Sequence, residues 1–401
     1  MVAPMTLCLE LLAIACLLAT AVGREVNQFP DGFLLGAATA SYQIEGAWIE
    51  EGKGESIWDH MLHEHPEYGN NGDNGDVACD SYHKYAEDVQ ALKDLGVTKV
   101  YRFSISWPRI LPNGDLDVIN QPGIDYYNNI INLLLDNDIQ PLVTMFHWDL
   151  PQALQYICGW PNPILADYFL EYATVLFDNF GDRLGLYANP IFVDGDYPAV
   201  VRERVDNNSR AEGRPRLRLP SFTEEEKRMI NGSFFGFNSY ATLMVSSQEY
   251  GISPSMQHDT GVFRMSNYTY PVSAAFWLTV VPWGFRKIIN WVSTRYPNYP
   301  IIVTENGYAE YGDLDDQERI SYYGQYLAEM LKAINEDGAN VFGYTAWSLL
   351  DNLEWNSGYS VKFGMYHVAF NSTERTRTPK ASASFLAGIY RNMSVPEEYF
   401  Q

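Results

Sequence analysis

The sequence predicts an α/β fold, and specifically a (β/α)₈ barrel in which helices join parallel strands. Short apolar runs alternate with amphipathic segments along most of the 401 residues, which is typical of strands and helices in turn. A doubly wound sheet is the alternative, but no Gly-rich phosphate loop follows the first strand. Many predicted strands instead lead into a polar or aromatic residue: Gln43, Arg102, His147, Asn238, Glu305 and Trp347. Strands that deliver side chains to one rim are typical of the barrel.

The first half of the chain predicts three strand–helix units. Its strands are short apolar runs at Phe33–Ala38, Val97–Trp107 and Leu142–Phe146. The segments between them repeat apolar residues at helical spacing and predict helices over Ser81–Leu95, Ile124–Leu135 and Ile164–Phe180. Gly96 and Gly181 follow two of these helices and predict where they end.

The second half predicts three further strands. Thr223–Glu226 is a capping box, which predicts a short helix ahead of the strand Phe234–Phe237. The later elements are a helix over Trp283–Arg295, a strand over Ile301–Thr304, a helix whose apolar face is Ile320, Tyr323, Leu327, Leu331 and Ile334, a strand over Val341–Trp347 and a helix from near Pro379. The consecutive apolar residues Ile301, Ile302 and Val303 predict a strand that is buried on both faces.

The count of about six strand–helix units is two short of the eight that a closed barrel of this kind needs. The gap is local, because no apolar strand follows the helix before Arg183 and residues 188–222 have the composition of a loop. We therefore predict an incomplete barrel that exposes two strand edges.

Composition and charge limit the classes of ligand. Apolar residues make up 46% of the chain and the formal net charge is −23. A field of that sign repels nucleic acid and anionic membranes, so neither is an expected partner, and a neutral small molecule is. The seven histidines are scattered without metal-ligand spacing, which predicts no metal site. The sequence does not determine the oligomeric state.

Residues 1–23 predict a secretory signal peptide. Leu7–Val22 is almost wholly apolar, and Ala21-Val22-Gly23 offers small residues before a cleavage point. A transmembrane anchor is the alternative, but the run is shorter than the ~20 residues that a span needs. Residues 24–401 would then form one secreted domain with five possible N-glycosylation sites: Asn207, Asn231, Asn267, Asn371 and Asn392. Whether Cys79 and Cys158 pair is left open.

Glu305 is the first candidate for chemistry. It follows the predicted buried strand and precedes Asn306 and Gly307. Two carboxylates that flank a sugar C–O bond can cleave it, one as the acid and the other as the nucleophile or the base. Arg102 and Tyr240 are candidates to hold such a carboxylate ionised. The alternative is that Glu305 is a surface acid in a turn after a core strand.

A second candidate stretch runs from Trp347 to Tyr359 and reads WSLLDNLEWNSGY. Trp347 and Trp355 offer flat apolar faces, and Glu354 offers acceptors. Sugars bind to such mixtures, because their C–H faces stack on rings while their hydroxyls pair with polar groups. A core aromatic cluster is the alternative.

Several stretches together resemble the motifs of glycoside hydrolase family 1, the β-glucosidase family. They are FLLGAATASYQIEG (33–46), YRFSISWP (101–108), FHWDLP (146–151), YANPIF (187–192), GFNSY (236–240), TENG (304–307) and the Trp347 stretch. The likeness extends over essentially Phe29–Tyr390. It implies a (β/α)₈ barrel and retaining hydrolysis of β-linked sugars without a cofactor.

The resemblance also implies roles for single residues. Glu305 is similar in position to the nucleophile of the family, and Arg102 and Tyr240 to the residues that hold it. Gln43, His147, Glu354 and Trp355 are similar to residues that bind the sugar hydroxyls, and Trp347 to the platform on which the sugar stacks. Glu354 in place of a serine favours a plain sugar over a phospho-sugar, because an anion repels phosphate.

One expected motif is absent from the sequence. The family's acid/base glutamate lies in a Thr-Phe-Asn-Glu-Pro motif after the fourth strand, and no such motif follows Arg183. Two units of ~30 residues each, with loops, would fill the gap, so we predict an internal deletion at Arg183–Leu184. Glu203, Glu224, Glu225 and Glu226 are the candidates for a substitute acid. Three functions remain open: a β-glucosidase, a thioglucosidase of myrosinase type, and a sugar-binding pseudoenzyme.

Overall fold

The computed structural model describes residues 25–97, 99–184, 206–214, 234–249, 251–253, 255–265 and 269–401. The core element is a six-stranded sheet. Its strands are β1 (Leu34–Ala38), β2 (Val100–Ser104), β3 (Gln140–Thr144), β4 (Phe235–Asn238), β7 (Ile301–Asn306) and β8 (Val341–Trp347). Two two-stranded antiparallel ladders accompany it, formed by β5 (Met244–Ser247) with β6 (Val262–Met265) and by β9 (Tyr366–Val368) with β10 (Arg377–Pro379).

All strand pairs of the large sheet are parallel, in the order β3-β2-β1-β8-β7-β4. β1 lies between β2 and β8, and its Gly36 allows the close approach to β2, since a Cβ atom there would lie 2.0 Å from the Val100 carbonyl oxygen. Parallel pairing brings the carboxyl ends of all six strands to one rim, as the sequence predicts.

Helices connect and cover the strands. They are α1 (Ser41–Ile44), α2 (Ile57–Glu64), α3 (Ser81–Asp94), α4 (Trp107–Ile110), α5 (Gln121–Leu135), α6 (Gln152–Tyr156), α7 (Leu165–Leu184), α8 (Met256–Thr260), α9 (Pro282–Arg295), α10 (Gln317–Asn335) and α11 (Ala381–Asn392), with a further short helix at 206–211. None of the helices in the described part of the chain is both long and apolar enough to cross a membrane.

Several predicted boundaries are wrong by two residues or more. The predicted strand Leu142–Phe146 lies two residues earlier, at Gln140–Thr144. The predicted strand Val97–Trp107 is shorter, because Trp107 already begins α4, where Pro108 is tolerated in the first helical turn. Gly181 does not end its helix, since α7 continues to Leu184; a glycine inside a helix costs only ~1 kcal/mol relative to alanine.

The sheet curls into an incomplete barrel. Among the described residues, β3 and β4 are its two outermost strands, and each has one edge without a neighbour in this sheet. A cavity of about 300 Å³ lies between them, lined by Leu142 and Thr144 from β3, Phe237 and Asn238 from β4, and Arg102 from β2. In the part of the chain that the structure describes, the sheet thus has six of the eight strands of a closed barrel, as predicted, and the opening lies between β3 and β4.

Some expectations fall outside the described residues: the signal peptide, the helix after Thr223, Asn231, Asn267 and the four substitute acids. Asn207, Asn371 and Asn392 are exposed. Cys79 is buried, Cys158 is exposed, and the two are unpaired. Within the described ranges, no group of three or more His, Cys, Asp or Glu side chains could hold a metal ion.

Candidate active site

Glu305 lies near the carboxyl end of β7, and its side chain is almost completely buried. The first three residues of the strand, Ile301–Val303, are fully buried, as the sequence predicts. Arg102 Nη1, from β2, donates a hydrogen bond to Glu305 Oε1. Tyr240 Oη, just after β4, donates to Glu305 Oε2 at 2.7 Å. Each carboxylate oxygen therefore has its own donor, and one of these donors is a cation.

The strand ends irregularly where it presents this carboxylate. The pairing of β7 shifts register between Phe237 and Asn238 on one side and between Val303 and Asn306 on the other. Such irregularities redirect side chains at barrel rims. Glu305 therefore reaches the guanidinium of Arg102 on β2, which lies three strands away in the sheet, and the phenol of Tyr240 just after the neighbouring strand β4.

Gln43 and Glu354 form a second polar pair of the site. Gln43 is fully buried, and its Nε2 donates to the Leu353 carbonyl oxygen at 2.9 Å, to Asn352 Oδ1 at 3.1 Å and to Glu354 Oε2 at 3.4 Å. Its Oε1 is buried without a hydrogen-bond partner. Burial, together with the nearby charge of Glu305, raises the pKa of Glu354 to about 8, so this side chain is mostly protonated at neutral pH.

Aromatic rings line the same pocket. The imidazole of His147 lies parallel to the indole of Trp347, with centroids 6.0 Å apart, and to that of Trp355 at 5.8 Å. Burial and the nearby Arg102 charge lower the pKa of His147 to about 4, so its ring is neutral at physiological pH. A neutral imidazole carries one donor and one acceptor, which suits a hydroxyl group.

Trp355 is held in place by other aromatic side chains. Its ring packs on Trp58 at 4.8 Å and on Trp148 at 4.9 Å. Its backbone has a φ of 51°, which a non-glycine residue adopts only at a cost of about 1–3 kcal/mol. The surrounding packing fixes the indole in this conformation beside the polar groups of the pocket.

Tyr240 also borders a wide cavity. The Tyr240 ring packs edge-on against Trp277 at 5.8 Å. Tyr240 and Trp277 also line a cavity of about 700 Å³, together with Met244, Met265 and Phe276. Tyr240 thus contacts both this cavity and the carboxylate of Glu305.

The predicted site residues lie together, although they are widely separated along the chain. Arg102 and Tyr240 both donate hydrogen bonds to Glu305, Gln43 contacts Glu354, and His147 lies beside Trp347 and Trp355. The alternatives of a surface turn acid and of a purely core cluster do not describe this arrangement, because Glu305 is buried while Trp355 remains partly exposed.

The sequence reasoning missed some residues around the site. Trp58 and Trp148 support Trp355, Trp277 supports Tyr240, and Asn352 helps to hold Gln43. Trp148 and Asn352 lie inside stretches that the sequence analysis quoted, which is the signal that could have found them. Trp58 and Trp277 carry no such signal.

Comparison with known proteins identifies the family. The family model described as "Glycosyl hydrolase family 1" matches residues 25–188 and again 183–394. The chain belongs to glycosyl hydrolase family 1. Its relatives in this family are glycosidases, so the chain belongs to a family of enzymes that hydrolyse glycosidic bonds.

Individual members of glycosyl hydrolase family 1 align with nearly the whole chain. Myrosinase 1 of Brevicoryne brassicae is 38% identical over 464 positions, which cover 90% of this chain and 98% of the relative. Cytosolic beta-glucosidase of Homo sapiens is 35% identical over 466 positions, with 91% and 98% covered. The solved structure of an aphid myrosinase superposes with a TM-score of 0.84 at 37% identity, and the match covers 91% of this chain and 99% of that one.

The comparisons also agree with the predicted internal deletion. The two parts of the family match meet at residues 183–188. The alignment with Myrosinase 1 spans 464 positions, whereas 90% of 401 residues is about 361, so about a hundred positions have no counterpart in this chain. That length fits two strand–helix units of a family 1 barrel.

Proposed function

We propose that this chain is a retaining β-glycosidase of β-glucosidase type, which acts on O-linked β-glucosides with Glu305 as the nucleophile. The observation that carries the proposal is the buried Glu305 carboxylate, held by Arg102 and Tyr240 at the edge of an aromatic pocket. Two donors fix the direction of the lone pairs of this carboxylate, which is what attack on an anomeric carbon requires.

The other predicted residues supply the sugar site. The buried Oε1 of Gln43 has no hydrogen-bond partner and would accept a bond from a hydroxyl of the glucosyl ring. Glu354 and the neutral His147 would pair with further hydroxyls, while Trp347 and Trp355 offer apolar faces to the ring. The cavity next to Tyr240 would receive the aglycone, because Tyr240 lines this cavity and also hydrogen-bonds to Glu305.

The missing acid/base limits the reaction. General acid help is worth about 10²–10⁴ in rate, and the family's Thr-Phe-Asn-Glu-Pro motif is absent from this sequence. Glu305 could still displace a leaving group that departs as a stable anion, because that step needs no proton. We therefore expect turnover of activated aryl glucosides and very slow cleavage of alkyl glucosides.

A thioglucosidase function is the second candidate. The similarity to Myrosinase 1 of Brevicoryne brassicae and to the aphid myrosinase structure favours it. So does the chemistry, since a thiolate leaves without protonation more readily than an alkoxide does.

Two comparisons of substrate test the proposal. The wild-type chain should release the fluorophore from a 4-methylumbelliferyl β-glucoside, and the Glu305→Ala variant should not. The ratio of O-glucoside to S-glucoside turnover then decides between the two enzyme functions. Glucose binding without any turnover, even of a dinitrophenyl glucoside, would contradict both enzyme functions and leave a sugar-binding protein.

A further inference from the structure

Helix α10 holds the hydrogen-bond donor of Glu305 from behind. Tyr322 Oη, on this helix, donates to the backbone oxygen of Tyr240 at 2.9 Å. It also accepts from Asn306 Nδ2 at 2.8 Å. Asn306 directly follows Glu305, and the Tyr240 hydroxyl donates to Glu305. These contacts close a ring that leads from Glu305 through Asn306, Tyr322 and Tyr240 back to Glu305.

The proton positions in this ring follow from its partners. Tyr344 Oη donates to Asn306 Oδ1 at 2.8 Å, and Asn306 Nδ2 also donates to the Ser239 carbonyl oxygen at 2.7 Å. The amide of Asn306 is therefore oriented with its NH₂ group toward Tyr322. Tyr322 must accept there, so its only proton goes to the backbone oxygen of Tyr240.

The Tyr322 side chain has little freedom. It is almost completely buried, and its ring stacks on that of Tyr326 with centroids 3.9 Å apart and planes 20° apart. Tyr326 Oη also donates to the same Tyr240 oxygen, but at 3.4 Å, so its bond is weaker than the 2.9 Å bond from Tyr322. Tyr322 is thus the main support of the Tyr240 backbone from this helix.

The next residue of the helix serves a different part of the site. Tyr323 is fully buried, and its Oη donates to the backbone oxygen of Trp347 at 3.1 Å. Successive residues of an α-helix point about 100° apart, which is why two adjacent tyrosines reach the ends of two different strands. Tyr323 supports the ring on which the sugar would stack.

We propose that Tyr322 and Tyr323 are positioning residues with separate tasks. Tyr322 fixes Tyr240 and so the hydrogen bond on Glu305, whereas Tyr323 fixes Trp347 and so the platform for the sugar. This inference rests on the proposed function, in which Glu305 attacks the anomeric carbon.

The test measures the first chemical step alone. With 2,4-dinitrophenyl β-glucoside, the Glu305 carboxylate forms a bond to the anomeric carbon, and the bond to the phenol oxygen breaks with its electron pair on dinitrophenolate, so no acid is needed. Tyr322→Phe should lower the rate of the dinitrophenolate burst about tenfold and leave the half-saturating substrate concentration within about twofold. Tyr323→Phe should raise that concentration about fivefold and leave the burst rate within about twofold.

A double variant separates positioning from a general structural effect. The double variant Tyr240→Phe/Tyr322→Phe should be no slower than Tyr240→Phe alone, since Tyr322 acts through Tyr240. Multiplied effects of the two substitutions would overturn the inference.

A matched control is Tyr390→Phe. Tyr390 is another buried tyrosine whose hydroxyl donates to a backbone oxygen, that of Gly36 at 2.8 Å, but it has no contact with Glu305 or Trp347. Its loss should lower the melting temperature and leave both burst parameters within about twofold of wild type. A change as large as that of Tyr322→Phe would contradict the assigned roles.

Failure of the inference is distinguishable from failure of the proposed function. The burst amplitude counts folded active sites, so partial unfolding changes the amplitude and not the rate. If Tyr322→Phe does not fold, Tyr344→Phe loosens Asn306 instead and should also slow the burst; an unchanged rate there overturns the inference. A wild-type chain that releases no dinitrophenolate overturns both, whereas an active wild-type chain with indistinguishable Tyr322→Phe and Tyr323→Phe variants overturns the inference alone.

Discussion

Glu354 links the sugar pocket to the pH dependence of stability. Burial and the Glu305 charge raise its pKa from 4.5 to about 8. The folded chain therefore holds a proton that the unfolded chain releases at lower pH. The stability from this group is fully present below about pH 4.5 and is lost as the pH rises through about 8.

The size of this effect follows from the shift. Each pKa unit corresponds to 1.36 kcal/mol, so between pH 5 and pH 9 the wild-type chain could lose at most about 4 kcal/mol through Glu354. The side chain is partly exposed, and screening by solvent reduces the figure to about 2 kcal/mol. Glu354→Gln, which cannot ionise, should lack this loss.

Urea unfolding at pH 5 and pH 9 measures the difference. Other groups titrate in both proteins and cancel, so the wild-type chain should lose about 2 kcal/mol more than Glu354→Gln between the two conditions. Glu64→Gln, at an exposed carboxylate on α2, is the matched control and should behave as wild type. Equal losses in wild type and Glu354→Gln would refute the reasoning.

Three further predictions concern other parts of the chain. Lys380 and Asp351 form a fully buried ion pair at 2.7 Å, so Lys380→Met should lower the free energy of unfolding, measured by urea titration, by about 3–5 kcal/mol. The control Lys332→Met removes a partly exposed ion pair and should lower that free energy by under about 1 kcal/mol. The exposed Cys158 should react with a thiol reagent in the native protein and the buried Cys79 only after denaturation. Fast labelling of Cys79 in the native protein would contradict its burial beside the Asp351 backbone. Expression through a secretory pathway should give a mature chain that begins after Gly23 and loses mass when its N-glycans are removed, and mass spectrometry measures both. A chain that keeps residues 1–23 would contradict the signal-peptide hypothesis.

The strands were predictable where apolar runs have clear ends. Val341–Trp347 has the same bounds in the sequence and in the structure, and Ile301–Val303 is buried on both faces. Val97–Trp107 failed because its alternation of apolar and polar residues continues past the point at which the strand turns into a helix. The missing units were predictable from the strand count, since an absent apolar run is visible in a sequence.

The site was predictable to the extent that its residues follow strands. Parallel strands bring their carboxyl ends to one rim, so Arg102 and Glu305 could be placed near each other without coordinates. The tyrosines of α10 could not be placed in this way. Helical spacing predicted a buried face that contains Tyr323 but not Tyr322, yet both are buried, because helix α10 is enclosed around most of its circumference. Their hydrogen bonds join residues 82 and 24 positions apart, which no local pattern encodes.

The most direct test of the account is covalent trapping at Glu305. The chain should be incubated with 2,4-dinitrophenyl 2-deoxy-2-fluoro-β-glucoside, whose fluorine slows hydrolysis of the glycosyl-enzyme, and then analysed by intact mass and peptide mapping. We predict one fluoroglucosyl group per chain, attached to Glu305, and none on Glu305→Gln. An unlabelled wild-type chain, or a label on another residue, would contradict the central claim that this carboxylate attacks the sugar.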